Sequence, residues 1–329
     1  MPRNDNNAGD TPESRQNRRE FLRGAVAAGV TLAASGAMLR LDDADAQTVS
    51  PVKPAGKMPM VTVAGKIIPR MIIGCNQIGG WSHGQPNLGL ATTDYFTLDK
   101  TVEFYQDCEK LGLDVCHSYW DDKPKKAYKK LWASGSKMRP YFLGTLESDG
   151  SLSKDLLEYK PLWHLHHGNV TDSLFRAGKQ EQVHDFIKKV HDVLGIPAGL
   201  SCHNPDCIKY AEDKGWEADL YQCSLYYVTR PQEEIRAKLG SVPLGESFLD
   251  TDRDNMLNVI RQTKKPCLVF KLLGAGRLAD SDYSVEEAFQ YTLSRIKKND
   301  AVIVGMWPKF KDEVGLDFGY VCKYGKVSG

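Results

Sequence analysis

Five of the eight histidines, His117, His164, His166, His167 and His203, stand at or near the ends of short apolar runs. Lys271 closes another such run, and Glu147 lies just past a third. Alternation along an extended segment puts Trp163, Leu165 and His167 on one face and His164 and His166 on the other. His117, His167 and His203, with Glu147, are therefore the set that can converge on one centre. Neutral imidazoles and a carboxylate suit a borderline divalent ion such as zinc, copper or iron. Such an ion polarises a carbonyl or acidifies a water. A thiolate from Cys75 or Cys202 would favour a softer metal. Two other readings of the same residues stand beside this one: an acid/base site without metal, and a merely structural cluster. Lys271 suits a phosphate-like contact or a catalytic amine. His83, in the loop Trp81-Ser82-His83-Gly84, reads either as a surface residue or, with Trp81, as a cover over the site.

Residues so far apart in the chain meet only if regular elements carry them to one place. Met60–Val63, a break at Ala64-Gly65-Lys66, and Ile67-Ile68 read as a hairpin. Eight apolar runs follow, 71–75, 113–117, 141–145, 162–167, 196–201, 218–223, 267–271 and 301–305. Segments of helical periodicity alternate with them, among them 97–111, 122–134, 180–194, 204–214, 251–264 and 284–297. In 180–194 the apolar residues Val183, Phe186, Ile187, Val190 and Leu194 share a face, which leaves His184 and His191 on the solvated side. Eight alternating βα units predict a closed (β/α)8 TIM barrel with a short N-terminal hairpin. Active sites of such barrels form at the carboxyl ends of the strands, where the histidines and Lys271 stand.

The 329 residues are 41% hydrophobic and 26% charged, with a formal net charge of +1. That composition fits a globular chain and gives no electrostatic reason to expect nucleic acid or an anionic membrane as partner. Arg18-Arg19-Glu20-Phe21-Leu22 precedes an uncharged run from Gly24 to Leu39 and a small-residue cleavage pattern at Ala44-Asp45-Ala46. The run is too short and weakly apolar for a stable membrane span. Residues 1–46 read as an export signal, resembling those of the twin-arginine translocation machinery, and 47–57 as a linker before the barrel at 58–329. The expected location is periplasmic or otherwise exported. All eight cysteines follow the signal, no CxxC occurs, and several sit inside apolar runs, so mostly buried thiols are expected.

Several local patterns resemble the aldo-keto reductase superfamily. They are the hairpin with Ile73-Gly74-Cys75-Asn76-Gln77-Ile78-Gly79-Gly80, then Gly199-Leu200-Ser201-Cys202-His203-Asn204, Tyr221-Gln222-Cys223-Ser224-Leu225-Tyr226, Lys271-Leu272-Leu273-Gly274-Ala275-Gly276-Arg277-Leu278, and Val302-Ile303-Val304-Gly305-Met306. Their order and spacing cover residues 60–315. The resemblance implies a TIM barrel, an oxidoreductase activity on a small-molecule substrate, and NADP as cofactor. It implies that Ser201 and Gln222 hold the nicotinamide and that Gly274 and Gly276 approach the pyrophosphate. It favours a cofactor contact over a Schiff base for Lys271.

The departures matter as much. The family's hydride chemistry uses an Asp, a Tyr, a Lys and a His. His117 stands in the place of the Asp, Asp122 in that of the Tyr, and Leu146, after Thr145, in that of the Lys; His167 alone matches. Tyr119 is the nearest substitute acid, two residues after His117. The expectation is an exported barrel enzyme with this tetrad replaced, working with metal assistance on a small carbonyl or sugar-like compound. Its alternatives are an NADP-dependent oxidoreductase exported with bound cofactor, and a non-catalytic ligand-binding barrel.

Overall fold

The strand-forming runs are too apolar to leave either face in water, so each needs neighbours on both sides and a helix behind it. In the computed structural model, which describes residues 50–53, 56–84, 86–153 and 156–327, they have both. The proposed export signal lies outside the described residues. Strands β1 (Met60–Val63) and β2 (Lys66–Pro69) form an antiparallel hairpin. The barrel strands are β3 (Met71–Ile73), β4 (Val115–Ser118), β5 (Arg139–Gly144), β6 (His164–His166), β7 (Ala198–Cys202), β8 (Leu220–Ser224), β9 (Cys267–Phe270) and β10 (Ala301–Val304). They pair in parallel in chain order, and β10 closes on β3. The architecture is the expected TIM barrel.

Two apolar layers follow from the alternation of side chains. Val115, Tyr141, Trp163, Leu165, Leu220, Leu268 and Ile303 fill the interior, and Val61, Val63 and Ile68 of the hairpin join them. The hairpin leads directly into β3, so it plugs the amino end and leaves the carboxyl end for chemistry. Outward-facing strand residues such as Phe142, Leu200 and Val269 pack with Phe186, Ile187, Ile208 and Leu257 of the surrounding helices. Gly199 lets β7 approach β8: a Cβ there would lie 1.9 Å from the Leu220 carbonyl oxygen.

The division of the β6 histidines matches the alternation. His164 and His166 face outward, each with its ring 5.1 Å from Phe186, and burial pushes them to about 4 and about 3. His184 and His191 differ from the expected solvated pair. Both are half-buried. His184 stacks on Trp216 and pairs with Glu217, and His191 pairs with Asp219. Their helix (Glu181–Leu194) runs beside the loop before β8, so its polar face meets protein as well as water. All eight cysteines are buried free thiols. Among the described residues no helix is long and apolar enough to cross a membrane.

Candidate active site

At the carboxyl end the chain leaves β9 through a strained turn. Lys271 has φ +65°, a left-handed conformation uncommon for a residue with a Cβ. The turn closes with Gly274 N donating to the Lys271 carbonyl at 2.8 Å. This conformation holds the Lys271 ammonium within the mouth, where it donates to His83 Nε2 at 2.9 Å. Burial lowers the amine to about 8, against a smaller opposing pull from Glu246. His83 also lies in left-handed backbone, at φ +54°. Its Nδ1 is 2.8 Å from the Glu246 carboxylate, and Asn76 Nδ2 donates to its Nε2 at 3.1 Å. A carboxylate only accepts, so Nδ1 carries the imidazole proton and Nε2 presents its lone pair to Lys271. Glu246 sits below the ordinary carboxylate range, chiefly through its hydrogen bond from His83. The result is a chain of hydrogen bonds from a half-buried amine, through an imidazole, to a carboxylate at the surface.

The other mouth residues surround this chain. His117, on β4, stacks on Tyr141 with ring centres 5.1 Å apart, and its Nδ1 is 3.7 Å from Cys75 Sγ. Burial, with His167 and Lys271 nearby, pushes His117 down to about 3, so it is neutral. Burial pushes the Cys75 thiol up to about 12, so it is protonated. His167 caps the helix Gly168–Arg176, is also lowered by burial, and has a buried Nδ1 without a hydrogen-bond partner. His203 follows β7, and Asp172 holds it by three contacts: two bonds from its backbone N–H and one from Nδ1 at 2.8 Å. Asp172 further accepts from Asn204 N and Thr229 Oγ1. Burial opposes its charge, but these donors outweigh that and hold the carboxylate low.

His117, His167 and His203 thus all stand at the carboxyl end, while the four-residue metal set does not assemble. Among the described residues no three His, Cys, Asp or Glu side chains are grouped to hold an ion. His203 Nδ1 is committed to Asp172, His117 Nδ1 faces a protonated thiol, and Glu147 is exposed on the loop after β5. Tyr119 packs edge-on against Trp81 at 4.5 Å. Burial, then Cys75 and Asp121, raise its phenol.

The expected nicotinamide contacts are partly occupied within the fold. Gln222 is buried inside the barrel, where its carboxamide oxygen accepts from Tyr141 at 2.9 Å. The N–H groups of Gly274 and Gly276 bond to carbonyls of their own turn, and Arg277 donates to Gly274 O and His83 O. Ser201 is the exception, with a buried hydroxyl that has no partner. A cavity of about 330 Å³ opens beside His203, bordered by Asn204, Tyr227, Arg230 and Asp252. Lys271, His83 and Glu246 do not line it.

His83, Glu246 and Asp172 are the functional candidates that sequence reasoning missed or left as surface residues. His83 carried a weak signal, its place beside Trp81 in a loop after the first barrel strand. Glu246 carried none, because it stands in a loop, 240–249, with no periodicity.

No family model matches the sequence, and no curated protein matches it. Solved structures do. An aldo-keto reductase from Bacillus halodurans in its holo form superposes with a TM-score of 0.50 at 12% identity, over 81% of this chain and 91% of that one. An aldo-keto reductase from Brucella melitensis gives 0.45 at 12% identity, over 84% and 96%. A variant of Gox0644 in complex with NADPH gives 0.48 at 12% identity, over 83% and 90%. At such identities the likeness concerns the fold: the eight-stranded parallel barrel is the one in which aldo-keto reductases are built.

Proposed function

We propose that this chain is an oxidoreductase-like barrel enzyme that acts on a small carbonyl compound, with Lys271 handling the proton at the carbonyl oxygen. The observation that carries this reading is the half-buried Lys271 ammonium at the carboxyl end, hydrogen-bonded to His83 and backed by Glu246. Reduction of a carbonyl needs a proton on oxygen as carbon receives hydride. An amine lowered to about 8 is charged at neutral pH yet gives up its proton readily. His83 and Glu246 return a proton from the surface. His167, with a free Nδ1, orients the substrate oxygen.

NADP(H) is the cofactor the resemblance implies, and it supplies the hydride when bound. The unpartnered Ser201 hydroxyl fits its carboxamide; Gln222 and the two glycines are engaged elsewhere. The test is NADPH binding, followed by fluorescence, and NADPH oxidation with a panel of small aldehydes and ketones. The expected result is saturable binding, weakened about tenfold in Ser201→Ala, consistent with loss of one hydrogen bond in a closed site. Absence of both binding and turnover would remove the redox reading.

Export is proposed with it. Replacing Arg18 and Arg19 by Lys should leave the unprocessed precursor in the cytoplasm, as fractionation and immunoblotting would show. Normal export of that variant would sink the twin-arginine assignment.

A further inference from the structure

The geometry points to a second use of the same amine: Glu246, His83 and Lys271 form a triad in which Lys271 is a nucleophile that condenses with the carbonyl carbon of a small ketone or aldehyde to give an imine. This rests on the proposed carbonyl substrate and not on any nicotinamide.

A nucleophile–base–orienter arrangement has three requirements: a nucleophile within hydrogen-bond reach of a base, the base in the right tautomer, and a third group that fixes it. All three are met. Lys271 Nζ lies 2.9 Å from His83 Nε2, and Glu246 holds the proton on Nδ1 from 2.8 Å. His83 can therefore accept a proton from the ammonium, and the resulting imidazolium lies against a carboxylate. Both members of the central bond, 188 residues apart, sit in left-handed backbone although neither is glycine. Such strain persists where the surrounding structure holds it, and it clusters at functional sites. Asn76, seven residues earlier in the same segment after β3, donates to the same Nε2 and fixes the ring.

Burial favours the free form of the amine, and the smaller opposing pulls come from Glu246 and Cys75. The neutral imidazoles of His117, His167 and His203 and the protonated thiol of Cys75 bring no fixed negative charge, and Glu246 is one imidazole away. The Phe270 ring lies 4.8 Å from the nitrogen. These neighbours are consistent with burial as the main cause of the lowered amine.

The chemistry balances without an oxidant. The amine lone pair forms the N–C bond while the carbonyl π pair moves to oxygen. His83 passes the proton from nitrogen to that oxygen. The carbinolamine nitrogen then gives up its remaining proton, which His83 delivers to the hydroxyl as it leaves as water, and the nitrogen lone pair closes the C=N bond of the imine.

The experiment is reductive trapping of the whole protein with dihydroxyacetone and cyanoborohydride, read by intact mass and peptide mapping, without nicotinamide. One adduct is expected, on Lys271, absent in Lys271→Arg. Its formation should slow about a hundredfold in His83→Gln, as loss of general base catalysis implies. The trapping rate should rise through pH 8, as the amine loses its proton, whereas carbonyl reduction should fall over the same range. Label spread equally over surface lysines, or a His83→Gln rate equal to wild type, would overturn the triad. Trapping without any NADPH turnover would leave the imine standing and sink the redox reading; NADPH turnover without trapping would do the reverse.

Discussion

Lys271→Met should abolish turnover of small carbonyl compounds, by about a thousandfold or more, while the protein becomes more stable at neutral pH. The first effect follows from the position of the amine, hydrogen-bonded to His83 at 2.9 Å in the mouth; loss of a placed general acid or nucleophile costs about 10²–10⁴-fold. The second follows from burial. The amine titrates at 10.5 when free and at about 8 in the fold, so keeping it charged there costs the folded state about 3 kcal/mol. Between those two pH values the unfolded chain holds the extra proton, so wild-type stability rises with pH. The advantage of the Met variant is therefore complete below pH 8 and disappears towards 10.5. Thermal unfolding at pH 7 and pH 10, alongside activity, checks both parts. An inactive variant that is also less stable at pH 7 would mean that Lys271 serves packing and not chemistry.

Trp163→Ala should lose about 3–5 kcal/mol of stability, the range for deleting a large aromatic from a packed interior. Trp163 is fully buried among the inward-facing residues of the barrel, with its ring 5.1 Å from Tyr141. Tyr141 in turn stacks on His117 and donates to Gln222 across the barrel. Removing the indole leaves a void that the closed ring of strands cannot collapse to fill. Trp163→Phe should cost much less. It keeps most of the ring, and it discards an indole N–H that is buried without a partner, whose burial opposes folding by about 1–3 kcal/mol. Urea unfolding followed by circular dichroism separates the two. A Trp163→Ala variant within 1 kcal/mol of wild type would contradict a filled interior.

The barrel was legible because its signals are local. The strands announce themselves by short apolar runs, rich in β-branched residues in β3 and β10, the helices by a stripe such as Val183, Phe186, Ile187 and Val190, and the hairpin by Ala64-Gly65 between two short runs. The placement of His117, His167 and His203 at the strand ends followed from the same periodicity. The metal set failed for a reason that no spacing reveals. Asp172, from the helix after β6, holds His203, and the Cys75 thiol meets His117. Those contacts depend on side-chain partners drawn from different βα units.

By itself, the sequence determined the elements, their alternation, the inward and outward division of side chains, and hence which residues reach the carboxyl end. These depend on backbone propensity and burial, which act over a few residues at a time. Only the tertiary structure decided that His83 and Glu246 join Lys271. The bond from Lys271 to His83 crosses 188 residues of chain, and the bond from His83 to Glu246 crosses 163. Both are made by loops whose conformation is set by the closed barrel beneath them. The left-handed backbone at His83 and Lys271 carries no mark in either residue type, because a side chain other than glycine is held there only when the packing around it outweighs its own preference.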